Sequence, residues 1–134
     1  MFDTKIVVVL RDDLAPWQRA NVTAFLISGI AAGSGVVGEA YVDATGRNHL
    51  PMLRQPVFVF EGAHSDMKRV YDRTISREVV SSIFSDAIFA TNNDGDNRAA
   101  VRAIDAGASP LAGIAFRAPA KIADKITGGL SRHR

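Results

Sequence analysis

The chain contains no cysteine. That absence removes disulfides, thiolate nucleophiles and cysteine-ligated zinc together. Histidine is almost as scarce. Only His49, His64 and His133 occur, and their spacing matches no metal-ligand pattern, so neither a metal nor a cofactor is expected. No apolar run approaches the ~20 residues that span a membrane. Met1 to Thr4 offers no basic region ahead of an apolar one, so it does not read as a secretory signal. A cytoplasmic location with no membrane partner is the expectation. A Walker loop, a dinucleotide fingerprint and a Ser-His-Asp order are also missing.

What remains is ordinary for a globular protein: 134 residues, 47% apolar and 22% charged. One α/β domain over 1–134 is expected, burying roughly two thirds of its unfolded surface. The net charge of +2 is uneven. Arg117 to Arg134 holds five Lys or Arg against one Asp, a local +4 that could touch phosphates or simply stay solvated.

The stretch from Lys5 to Ala32 organises the rest. Lys5-Ile6-Val7-Val8-Val9-Leu10 has an apolar run too short for a helix core and without alternation, which suits a strand covered on both faces. Arg11-Asp12-Asp13 makes a charged corner. Pro16, with fixed φ and no N–H, opens a long helix. Its apolar residues form one row at Trp17, Ala20, Ala24, Ile27 and Ala31, and another at Val22, Phe25, Leu26 and Ile30. Such breadth implies more than one neighbour, the sheet plus another helix or plus a second subunit. Gly33, Gly35 and Gly38 end the helix.

Ligands of open α/β sheets bind beyond the carboxyl ends of strands, where a helix start presents free N–H groups. Arg11, Asp12, Asp13, Gln18, Arg19 and Asn21 could face that corner. Asn21 in particular is expected as a buried amide in an apolar helix, held there for a ligand. The same residues serve structure alone if Asp13 caps the helix and Arg11 pairs with an acid.

Further strands are expected at Pro56–Phe60, Val79–Phe84 and Leu111–Phe116, with a short one at Tyr41-Val42. Asp43 to Arg47 reads as a turn with Gly46 at positive φ, followed by His49. A helix is expected over about 66–76, capped by Ser65. Another runs from Arg98 to Ala106, capped by Asp96 and closed by Gly107. A last helix starts at Ala118-Pro119 and ends at Gly128-Gly129. Gly113 within its strand suggests close approach of another element. Thr91 and Asn92 lie beyond the third long strand and could join the first corner. The run from Asn92 to Asp96 fails the calcium-loop pattern, because Ala103 stands where a bidentate Glu is needed. Strand, helix and strand in succession imply a right-handed crossover between parallel neighbours. The sum is a three-layer α/β/α domain with a small, mostly parallel or mixed four-stranded sheet.

Two ends of the chain resemble the type II peptidyl-tRNA hydrolases: the strand entering Arg11-Asp12-Asp13-Leu14, and Ile122-Ala123-Asp124-Lys125-Ile126-Thr127-Gly128-Gly129-Leu130. More closely, the chain resembles a mainly bacterial domain of unknown function sharing that fold. Asp13-Leu14, Asn21, Gly38, Asp43 with Gly46, Pro56-Val57, Thr91-Asn92, Gly113 and Asp124 to Gly128 carry the likeness. The resemblance implies that fold and a site at the first corner. Where the hydrolases have a helix lysine thought to act in catalysis, this chain has Ala20, with Gln18-Arg19 before it, and their glutamine falls at Ala24. Arginine stays charged and cannot shuttle protons at neutral pH, although its planar fork can hold a phosphate.

Three functions fit these residues. One is binding of a small polar ligand or an RNA end by Arg11, Gln18, Arg19, Asn21, Thr91 and Asn92. Another is peptidyl-tRNA ester hydrolysis, with Asp13 and His49 as the candidates for its base. The third is a structural or regulatory homodimer through the first helix.

Overall fold

The computed structural model describes residues 2–103 and 110–132. Strand β1 (Thr4–Arg11) runs into helix α1 (Pro16–Gly33). Two short strands, β2 (Tyr41–Val42) and β3 (Asn48–His49), form a hairpin. Then come β4 (Val57–Gly62), α2 (His64–Ser76), β5 (Ser81–Ser85), a 3₁₀ turn over Asp86–Ala90, and α3 (Asp94–Arg102). The chain closes with β6 (Leu111–Pro119), α4 (Ala120–Ile126) and β7 (Ser131–Arg132).

The main sheet has five strands in the order β5-β6-β1-β4-β7. The expectation of four strands missed β7, a two-residue strand that pairs Ser131 with Glu61 and Arg132 with Phe60. So short an edge strand has no hydrophobic period to read. Of the two expected arrangements, mostly parallel or mixed, the sheet is the mixed one. Only β1 and β4 are parallel; β1–β6, β5–β6 and β4–β7 are antiparallel. Nor are β4 and β5 neighbours joined by a crossover. The chain carries β5 to the far edge, beside β6.

The buried run in β1 explains the layering. Ile6, Val8 and Leu10 point to one face, where they meet Val22, Leu26 and Ile30 of α1. Val7 and Val9 point to the other, against Met67 and Val70 of α2 and Ala123 and Ile126 of α4. Both faces are therefore covered, as an unalternating strand requires. At Gly113 of β6 an added Cβ would lie 2.6 Å from Val22 Cγ1 and 2.9 Å from Leu26 Cδ1, so α1 sits directly on its backbone.

Helix starts were the least legible boundaries. Helix α2 begins at His64, not after Ser65, and Asp66 Oδ2 accepts from the Ala63 N–H at 2.8 Å. Asn93, not Asp96, caps α3: its Oδ1 accepts from Asp96 N at 2.8 Å. Both helices start earlier than expected because a capping-type residue inside the first turn, Ser65 in α2 and Asp96 in α3, looks like a cap in sequence. The expected closure at Gly107 lies outside the described residues.

Candidate functional site

The carboxyl ends of the two parallel strands lie side by side. Arg11 is in register with Gly62, and Asp12 N donates to Gly62 O at 2.9 Å. The corner's charged residues are largely engaged by the fold. Arg11 is 7% exposed. Its Nε donates to Asp13 Oδ1 at 2.6 Å, its Nη1 to Asp86 Oδ2 at 3.0 Å and to Leu111 O at 3.2 Å, and its Nη2 lies 2.9 Å from Asp86 Oδ1. One side chain thereby ties the end of β1 to the end of β5 and the start of β6. There the β5–β6 register slips, Phe84 facing Gly113 and Ser85 facing Leu111, with Ala112 left over as a bulge. The Arg11 guanidinium holds the Asp13 carboxyl below its ordinary range.

Arg19 is similarly used. Its Nε donates to Leu14 O at 3.0 Å, its Nη1 to Glu61 Oε2 at 3.1 Å and its Nη2 to Asp12 O at 2.8 Å. Gln18 turns back so that its Oε1 accepts from Ala15 N at 2.9 Å, satisfying a helix-start donor. Arg11, Gln18 and Arg19 are therefore fasteners of the corner.

Asn21 departs from its expected burial. It is exposed, on the flank of α1 that faces α3. Trp17, Asn21 and Phe25 recur every four residues and so form one line on that flank. They border a cleft closed on the opposite side by Thr91, Asn92 and Asn97. Its apolar wall is a set of packed rings. Trp17 meets Phe89 edge-on at 6.0 Å, Phe84 lies 4.9 Å from Phe89, and Phe25 stands 5.9 Å from Phe84. Trp17 and Phe25 nevertheless remain 63% and 52% exposed. Thr91 Oγ1 donates to Ile88 O at 2.8 Å and also bonds Asn97 Oδ1. Asn93 Nδ2 donates to Asn92 Oδ1 at 3.1 Å. The structure thus joins Asn21, Thr91 and Asn92, drawn from elements seventy residues apart in the chain. Arg11, Gln18 and Arg19 do not line that cleft.

His49 lies elsewhere, on the hairpin, where its Nε2 is 2.9 Å from Asp43 Oδ2. No contact joins it to Asp13 among the described residues. The histidine within electrostatic reach of Asp13 is His64, the first residue of α2. Strand-end logic applied to β4 would have found it, since it follows Gly62 by two places. Among the described residues, no cluster of three or more His, Asp or Glu could hold a metal ion, and no helix is long and apolar enough to cross a membrane.

Comparison with known proteins places this geometry in a wider group. A family model described as a protein of unknown function, DUF2000, matches residues 4–134. A solved structure of a protein of unknown function from Agrobacterium tumefaciens strain C58 superposes with a TM-score of 0.97 at 41% identity, covering 100% of both chains. No curated protein matches.

Proposed function

The chain belongs to the DUF2000 family of proteins of unknown function, and from that premise we propose that it is a binding protein. Its ligand is a small polar molecule with a planar base, or the unpaired end of an RNA, seated in the cleft between α1 and α3. The observation that carries this reading is the union of ring faces with polar side chains: Trp17 and Phe89 on the wall, the amides of Asn21 and Asn92 and the Thr91 hydroxyl at the rim. An aromatic face stacks any base, worth about 1–3 kcal/mol each. A carboxamide sets a donor beside an acceptor, the pairing that reads a base edge. A purely apolar ligand would not use the amides. A simple anion would need cations, and the nearby Arg98 is drawn off by Asp94, with Nε 2.7 Å from Oδ2.

Trp17 is the chain's one tryptophan and is exposed on the cleft wall, so its fluorescence reports occupancy. Titration with AMP, GMP, CMP, UMP and a short single-stranded RNA should give saturable quenching for at least one probe. Asn21→Ala should weaken that binding about tenfold, the effect of one or two lost hydrogen bonds, with the melting temperature unchanged. Absence of saturable quenching into the millimolar range for every probe would sink the reading.

The kinship in fold with type II peptidyl-tRNA hydrolases belongs to this proposal and rests on Asp13-Leu14 and the Asp124–Gly128 run. Ester hydrolysis itself has less support. Asp13 is engaged by Arg11 and held ionised, which makes it a weak base near neutrality. Cleavage of a diacetyl-lysyl-tRNA, abolished by Asp13→Asn, would reverse that judgement.

A further inference from the structure

One segment stands outside both hydrophobic cores. Every residue from Glu39 to Met52 is exposed. The segment is nonetheless a built ribbon on a single register. Arg54 N donates to Val36 O at 2.9 Å, Val37 bridges Leu53, and Gly38 N donates to Met52 O at 3.0 Å. Further out, Tyr41 pairs with His49 and Val42 with Asn48. Asp43 locks the tip, its Oδ1 accepting from Thr45 N at 2.9 Å, Thr45 Oγ1 at 2.7 Å and Arg47 N at 3.1 Å.

Side chains alternate across a ribbon, so Ala40, Val42, Leu50 and Met52 share one face. Val42, Leu50 and Met52 are 64%, 85% and 61% exposed. An isolated two-stranded hairpin is marginal in water, and a contiguous exposed apolar stripe marks an interaction surface.

The same chain carries a surface that such a stripe fits. Among the described residues, helix α1 packs mainly over β1, β6 and β5, and on that face Val59 of β4 is only partly covered. That strip is a groove lined by Leu10, Leu14, Pro16, Ala20, Thr23 and Val59, with the Arg19 side chain, engaged by Glu61, at its edge. It flanks the N-terminal half of α1, on the side away from the aromatic cleft. The arm leaves from the opposite end of the helix, just beyond Gly33.

We infer that two copies of this chain pair about a two-fold axis across α1, the arm of each lying in the groove of the other. Three observations favour a second copy over any other occupant. Arm and groove sit at opposite ends of one helix, so a two-fold rotation brings each to the other at once and closes the assembly. The lengths agree: eight residues from Val36 to Asp43 reach about 26 Å, and the eighteen residues of α1 span about 27 Å. Arg47 at the arm tip and exposed Asp12 beside the groove bring opposite charges to the contact.

Sedimentation velocity at ~5–100 µM tests this against known interface sizes. The expected species has twice the 14.4 kDa mass of the chain. Leu50→Asp on the arm and Thr23→Arg in the groove should each weaken pairing by about 100-fold, as loss of a central contact does. Because the chain has no cysteine, single thiols give a second readout independent of folding losses. Leu50→Cys mixed with Ala20→Cys should form a disulfide-linked heterodimer under mild oxidation, in preference to linked pairs of either variant alone. A monomer throughout that range, a dimer indifferent to both substitutions, or cross-linking that joins only like variants would overturn the inference.

Discussion

Arg11 shows how a polar residue at a strand end can be engaged by the fold before any ligand arrives. It pairs with Asp13 and Asp86 and reaches the Leu111 carbonyl. The two acids are partly exposed, with side chains 63% and 38% accessible, so solvent screens much of the charge attraction. The buried hydrogen bonds matter more. Arg11→Ala should lower unfolding free energy by about 1.5–3 kcal/mol, measured by denaturant titration, while leaving quenching of Trp17 by ligand intact. Asn21 is the opposite case. Its exposure predicts a stability change within about 0.5 kcal/mol for Asn21→Ala, with the whole effect on binding. Residue type alone did not separate the two roles; the partners did. Asp43 makes a pH prediction. Bonds from Thr45, then His49 and the Arg47 N–H, hold its carboxyl well below the ordinary range. Its contribution to the arm tip is therefore complete above the unfolded value of about 3.9 and is lost only as pH falls through the lower folded value. The Asp43 carboxyl carbon in NMR should still report the ionised form at about pH 3, where a free aspartate is mostly protonated.

At the scale of the element, α1 has three distinct sides. Val22, Leu26 and Ile30 are buried on the sheet. Trp17, Asn21 and Phe25 face the cleft, and Ala20 and Thr23 face the groove. The apolar breadth was legible in the sequence and pointed to several neighbours. Which residue served which neighbour was not, because an aromatic on a cleft wall and one in a core have the same period. Contact between α1 and β6 depends on Gly113, whose added Cβ would overlap Val22 and Leu26. Gly113→Ala should destabilise by about 1–3 kcal/mol through overpacking. A compensating Val22→Ala should recover part of that loss in a double-mutant cycle. The cap of α3 gives a smaller effect. Asn93→Ala should cost about 1 kcal/mol, visible as faster amide exchange in the first turn of α3.

For the whole molecule, the decisive strand pairing is the one longest in sequence. Strand β6 lies between β1 and β5 and pairs along β1 from Thr4–Pro119 to Leu10–Gly113. The centre of the sheet therefore waits for the last quarter of the chain. Removing residues 111–134 should abolish cooperative unfolding by circular dichroism, since β1 would lose a neighbour and half its cover. By itself the sequence determined the two fully buried strands β1 and β6 and the position of β4, the helix opened by Pro16, the Asp43–Gly46 turn, the close approach at Gly113 and the exclusion of thiol chemistry. Those features depend on neighbours in the chain and on local φ, ψ and hydrophobic period. Only the tertiary structure decided strand direction and order, the fifth strand, the engagement of Arg11 and the gathering of Asn21 with Thr91 and Asn92. A strand buried on both faces reads alike whichever way it runs, and a polar side chain takes its role from partners that the fold brings from far along the chain.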